Sequence, residues 1–150
     1  MLSSWWWQRD FINHKIIAAY PLVPTGSYVM YPLKDFVSAI QFLEDNTPIG
    51  AIILSETTAG NYIPARSIRR VYLGHDNTVK YEEKQVVVKR FFSGNMKPDA
   101  ARAFLNQNNL HYIFFGPQEK EDGGVSDLSK VYPFLKEAYK NSFVTIYQTQ

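Results

Sequence analysis

Two short apolar runs, Ala51-Ile52-Ile53-Leu54 and Val71-Tyr72-Leu73, each end abruptly in small and polar residues. The first gives way to Ser55-Glu56-Thr57-Thr58-Ala59-Gly60-Asn61 and the second to Gly74-His75-Asp76-Asn77-Thr78. Strands covered on both faces in a parallel sheet read this way, because helices on either side leave no call for polar alternation. In such open sheets ligands settle outside the carboxyl ends of the strands. The two polar clusters therefore mark where function is to be sought.

The rest of the chain fits that frame. Pro32 suits the first turn of a helix, and Leu33, Phe36, Val37, Ile40 and Leu43 recur at three- and four-residue spacing, predicting a helix over 33–45. Asn46, Pro48 and Gly50 stop it. A strand follows over 50–55, then a loop containing Pro64, then a strand over 69–73. Val86-Val87-Val88 favours a strand locally, yet Glu82 and Glu83 precede Lys89 and Arg90 as a helix dipole requires, and Gly94 stands as a C-cap. A helix is thus expected over 79–92, and another from Pro98 to about Gln107. His111-Tyr112-Ile113-Phe114-Phe115 reads as a third strand, Gln118 to Gly124 as a charged, mobile loop, 131–139 as a helix, and Phe143 to Tyr147 as a closing strand. The expected fold is α/β, a small Rossmann-like sheet of about four mainly parallel strands with flanking helices. Residues 1–31 form a lead-in, and 32–150 a single α/β domain.

Composition removes several function classes. The net charge is +2 and the basic residues are scattered among Glu and Asp, which gives no footprint for a nucleic-acid partner. The absence of cysteine removes disulfides, thiolate nucleophiles and Cys-based zinc sites. His14, His75 and His111 have no metal-ligand spacing, and neither a phosphate loop nor a dinucleotide glycine triplet is present, so no metal or cofactor is expected. No apolar run is long enough to span a membrane, and the N-terminus lacks the pattern of a signal peptide. Trp5-Trp6-Trp7, with Gln8-Arg9-Asp10 after it, has the composition of an aromatic belt at a membrane interface, or of a cluster packed on the domain.

If the strands are parallel, the loops after them share one rim. Ser55, Glu56, Thr57 and Asn61 come from the first, His75, Asp76, Asn77 and Thr78 from the second, Gln118 and Glu119 from the third. The loop through Gly74 to Thr78 precedes a helix whose free N–H groups suit an anion, although Asn77 or Thr78 would serve equally as a plain N-cap. His75 is the one candidate acid–base group so placed, or else a structural hydrogen bonder. Glu56 and Glu119 offer a carboxylate pair. Arg66, Arg69 and Arg70 suit phosphate or anionic lipid headgroups, or a solvated surface. Gly60-Asn61-Tyr62-Ile63-Pro64 suggests a defined turn with Tyr62 against the sheet, and Lys84 either reaches the rim or lies along its helix.

Thr58-Ala59-Gly60-Asn61-Tyr62-Ile63-Pro64-Ala65, then Arg69-Arg70-Val71-Tyr72-Leu73-Gly74-His75, then Thr78, Tyr81, Lys84 and Phe91-Phe92-Ser93-Gly94, follow one another in a recognisable order. With Tyr112-Ile113-Phe114-Phe115-Gly116-Pro117-Gln118-Glu119 and Val144-Thr145-Ile146-Tyr147, the chain from about 33 to 150 resembles the extracytoplasmic C-terminal tail of polytopic bacterial membrane glycosyltransferases. These are related to protein mannosyltransferases and lipopolysaccharide sugar transferases. The resemblance implies a parent whose many-helix membrane part uses a polyprenyl-phosphate sugar and carries the catalytic acid. The tail would then lie at the outer face of the plasma membrane as a non-catalytic accessory domain, with Trp5, Trp6 and Trp7 at the membrane exit. Its partners would be that membrane part and a lipid-linked sugar or glycan acceptor. The rim, the arginine cluster and the resemblance together point to Glu56, Thr57, Gly60, Asn61, Tyr62, Arg66, Arg70, Gly74, His75, Thr78, Lys84 and Glu119 as a site. Similar tails often carry Gly where this chain has Ile68, which counts against a tight turn there. Two other readings stay open: a free-standing α/β enzyme on a small sugar or phosphorylated substrate, with His75 as acid–base group and Glu56 as partner, and a purely structural interaction module.

Overall fold

The computed structural model describes residues 34–149 together with Trp6, Gln8 and Arg9; the remainder of the 1–31 lead-in, with Trp5 and Trp7, lies outside the described residues. In chain order the elements are α1 (Lys34–Asn46), β1 (Ile52–Leu54), α2 (Thr57–Ser67), β2 (Arg70–Val71), α3 (Tyr81–Phe92), α4 (Pro98–Gln107), β3 (Leu110–Phe115), α5 (Pro117–Gly123), α6 (Leu128–Val131), β4 (Lys136–Lys140) and β5 (Thr145–Gln148). No described helix is long and apolar enough to cross a membrane.

The five strands lie in the order β2-β1-β3-β5-β4. β2, β1 and β3 run parallel, whereas β5 pairs antiparallel with β3 and with β4. The expectation of about four mainly parallel, Rossmann-like strands is corrected on both counts, since the antiparallel ladders carry the longer runs of pairs. The source of the error is local. Leu135 and Tyr139 stand one helical turn apart, but α6 is only one turn long and 136–140 is an edge strand. Its charged Lys136, Glu137 and Lys140, with a bulge between Glu137 and Tyr139, suit an unpaired edge. The segment through Tyr147 does not close the sheet either; β5 lies inside it.

Successive residues of the central strands face opposite cores, as the period of two demands. Ile53, Phe114 and Ile146 pack with Phe36, Ile40 and Leu43 of α1 and Ala59 and Ile63 of α2. Leu54, Ile113, Phe115 and Tyr147 pack on the other face with Val88, Phe91 and Phe92 of α3 and Leu105 of α4. Each such fully buried side chain contributes about 1.5–3 kcal/mol of transfer free energy. β1 is thus covered on both sides, which is why its sequence shows no polar alternation.

Two expected loops are helices. Thr57–Ser67 contains Gly60 and Pro64, both poor helix formers, yet it folds as α2 because Ala59, Gly60, Ile63 and Ser67 bury one face. Gly60 is required by close approach: a Cβ there would collide with the Leu73 carbonyl oxygen and lie 2.9 Å from the Gly74 Cα. Pro117–Gly123 is α5, not a loop; Pro117 begins it, and the Glu119 carboxylate accepts from the N-cap N–H of Gly116 at 3.0 Å. The helices expected over 33–45, 79–92 and 98–107 are α1, α3 and α4.

Candidate functional site at the parallel strand ends

Because β1, β2 and β3 are parallel, the segments after Leu54, Leu73 and Phe115 leave the sheet at one edge. The chain departs from β1 toward β2 on one side and from β3 toward β5 and β4 on the other. The gap between the carboxyl ends of β1 and β3 is therefore the topological switch point, where open α/β sheets usually hold their ligand.

Here that gap is filled by the protein itself. The Glu119 carboxylate accepts from the Glu56 N–H at 2.8 Å through Oε1, and from the Gly116 N–H through Oε2. The Gln118 Oε1 accepts from the Thr58 N–H at 2.9 Å. Two helix N-termini, those of α2 and α5, are thus clasped by side chains from the start of α5. An anion is what such N-termini favour, and Glu119 supplies it internally.

Glu56 and Glu119 are fully buried, so the carboxylate pair is indeed assembled. Their roles differ. Burial raises the Glu119 pKa to about 7, while the N–H groups of Glu56 and Gly116 pull it back down. Burial, reinforced by the charge of Glu119 and then of Asp122, raises Glu56 to about 8; the Lys89 charge and the Thr57 N–H oppose the rise only weakly. Both oxygens of the Glu56 carboxyl, like Ser55 Oγ and Thr58 Oγ1, lack a hydrogen-bond partner among the described residues. Around neutral pH the pair therefore holds a proton, carried more readily by Glu56, while the N–H donors favour the anionic form of Glu119.

The other sequence-derived candidates spread around this clasp. Thr57 is buried, its Oγ1 3.1 Å from the Tyr81 hydroxyl, which also accepts from Gln85 at 3.2 Å. Gly60 and Gly74 are packed against each other and touch no open space. Asn61 is half-buried on α2, and Tyr62 meets the Phe36 ring edge-on at 5.7 Å. His75 is exposed, and its Nδ1 accepts from the Asn77 N–H at 3.2 Å, so it serves its own turn; Glu119, Asp122 and Lys89 are the charged groups that act on Glu56. Neither Asn77 nor Thr78 caps α3, correcting that expectation: the N-cap is Lys80, in the left-handed region at φ 59°, without a side-chain cap. Lys84 donates to the Tyr72 carbonyl at 3.2 Å and lies over that ring, which ties it to the segment after β2. A shallow depression of about 630 Å³ lies beside the start of α3, lined by Asp76, Thr78, Lys80, Tyr81, Glu82, Glu83 and Gln85. Among the described residues no group of three or more His, Cys, Asp or Glu side chains is arranged to hold a metal ion.

The arginine cluster divides. Arg66 and Arg70 are exposed, but Arg69 is buried, so a fully solvated cluster is ruled out. Its guanidinium donates to the Thr47 hydroxyl (3.0 Å) and to the carbonyls of Ser67 (2.9 Å), Glu44 (2.6 Å) and Thr47 (2.7 Å). A cation at two helix C-termini satisfies their last carbonyls and suits both dipoles. Burial alternates out-in-out along 68–70, but the sequence Ile-Arg-Arg carries no signal that singles out Arg69. Ile68 is the C-cap of α2 at φ 52°, so the tight turn is present although the residue is not glycine.

The architecture, a mixed five-stranded sheet with helices on both faces and parallel strands meeting at one rim, is similar to that of solved globular domains. One solved example is the C-terminal globular domain of an oligosaccharyltransferase from Archaeoglobus fulgidus. It is similar over 81% of this chain and 100% of that one, with a TM-score of 0.56 and 12% sequence identity, a likeness of fold. No protein-family model and no curated protein sequence matches the chain.

Proposed function

We propose that this chain is a non-catalytic accessory domain of a membrane glycosyltransferase-like protein. It stands at the outer face of the membrane and contacts the acceptor or a polyprenyl-phosphate sugar at the strand-end rim. The observation that carries the reading is the fold likeness to a domain that is itself the C-terminal part of a sugar-transferring enzyme. The closed switch point supports the non-catalytic half: Glu119 and Gln118 occupy the N–H groups that would otherwise greet a ligand, and His75 is engaged in its own turn. Contact with sugar or acceptor then falls on the outer part of the rim, at Asn61, His75 and Thr78.

The test has two arms. Radiolabelled transfer from a polyprenyl-phosphate sugar is expected to be nil with the chain alone, and turnover would overturn the reading. Titration of a short-chain polyprenyl-phosphate sugar is expected to shift the amide resonances of Asn61, His75 and Thr78. The buried clasp also favours a second reading, a purely structural interaction module, and unmoved rim resonances would select it.

A further inference from the structure

We infer that the sheet edge opposite the rim is a docking surface for an anionic lipid bilayer, built from Ile49, Ile68, Arg66 and Arg70. This goes beyond the function proposed above and requires no contact at the rim; with this edge on the bilayer the rim faces away from the membrane, so the rim contact it leaves room for is with the acceptor. Ile49 and Ile68 are 76% and 75% exposed, two of the most exposed large apolar side chains among the described residues. They precede β1 and β2, whose first paired residues are Ile52 and Arg70, so both stand at the same sheet edge. The Arg69 clamp joins the two segments there by bonding Thr47 and Ser67.

Ile68 occupies the left-handed region at φ 52°. A β-branched residue is disfavoured there, and glycine would suit the position. The strained residue is also a nearly free apolar side chain, so packing within this domain does not explain it. Arg66, in the last turn of α2, and Arg70, the first residue of β2, flank it; both are exposed, and neither forms an ion pair among the described residues. The nearest carboxylates in sequence to the clamp, Glu44 and Asp45, accept from the Gln41 amide instead. Apolar side chains between unneutralised arginines are the composition that enters an interface between headgroups and acyl chains.

The test uses the full 150-residue chain, with sedimentation on vesicles of phosphatidylcholine containing about a third phosphatidylglycerol. The expected result is binding to these vesicles and much weaker binding to pure phosphatidylcholine. Replacing both arginines, R66A with R70A, should lower partitioning roughly thirtyfold, about fivefold for each charge. A spin-labelled lipid should broaden the amide resonances of Ile49 and Ile68. I68G should weaken binding without lowering the thermal midpoint, because glycine accepts the turn; that pairing separates a docking role from a structural one. The arginine dependence should persist in W5A/W6A/W7A. Binding that R66A/R70A and I68G leave unchanged, or that does not distinguish anionic from neutral vesicles, would overturn the inference.

Discussion

The two ends of the parallel strands both bury charge, and they handle it in opposite ways. At the amino ends, Arg69 finds four acceptors, all of them backbone carbonyls or a hydroxyl, and needs no carboxylate. At the carboxyl ends, two buried carboxyls share too few donors: Glu119 takes the N–H groups and Glu56 is left with none. A buried charge that is fully hydrogen-bonded can remain a charge; one without donors is held neutral by its proton. The arginine end is accordingly a fixed joint, whereas the carboxyl end is stable only in the right protonation state.

The largest break in this contrast is expected at the joint. R69A removes four hydrogen bonds and leaves the buried carbonyls of Thr47 and Ser67 and the part-buried one of Glu44 without this donor, which should lower unfolding stability by about 3–5 kcal/mol. Urea unfolding monitored by circular dichroism measures it, and a loss below about 1 kcal/mol would mean water replaces the guanidinium readily. At the other end, E119A strands the Glu56 and Gly116 N–H groups but also relieves Glu56 of a neighbouring charge. The expected loss is smaller, about 2–3 kcal/mol at pH 7.

The protonation state sharpens the contrast further. Glu56 has an ordinary carboxyl pKa near 4.5 when exposed in the unfolded chain and about 8 when folded. Between those values the folded state holds a proton that the unfolded state has released. Stability therefore falls as pH rises across that window, by up to about 1.4 kcal/mol per pH unit for one group. Glu119, raised to about 7, adds to the slope below pH 7. E56Q keeps the shape without the ionisation and should flatten the profile, so the variant gains on the wild type as pH rises from about 5 and the gain levels off above about pH 8. Unfolding midpoints from pH 5 to 9 decide it; parallel profiles for the two proteins would show that Glu56 does not titrate in this window.

How much of this was legible follows from what each element announces. The convergence of the segments after Leu54, Leu73 and Phe115 could be read, because unbroken apolar runs ending in polar clusters are what double-sided burial produces. α5 was signalled and missed: Gly116-Pro117-Gln118-Glu119 places Pro at the first helical position and Glu at the third, a helix start hidden by the charged composition after it. α2 gave no such sign, since Gly60 and Pro64 oppose helix locally and tertiary packing overrides them. β4 was hidden because its residues sit at an edge, with too little burial to impose alternation. Within the site, the pairing of Glu56 with Glu119 was nameable from the rim, but nothing in the sequence could show that Gln118 and Glu119 would cap the α2 N-terminus across 60 and 63 residues.

The smallest effect tests the joint's one strained residue. Ile68 holds φ 52° with its side chain 75% exposed, so it loses little burial if truncated. The left-handed conformation costs an ordinary L-residue about 1–2 kcal/mol, which glycine avoids. Glycine in turn frees the unfolded chain by about 0.5–1 kcal/mol, opposing the gain. I68G should therefore be neutral to stabilising, by about 0.5 kcal/mol, and I68A should fall at or below the wild type because alanine keeps the Cβ and meets the same strain. Differential scanning calorimetry on the pair checks the sign. If I68G instead loses more than 1 kcal/mol, the isoleucine is buying fold stability through contacts of its own, and the Arg69 clamp alone does not account for the rigidity of that edge.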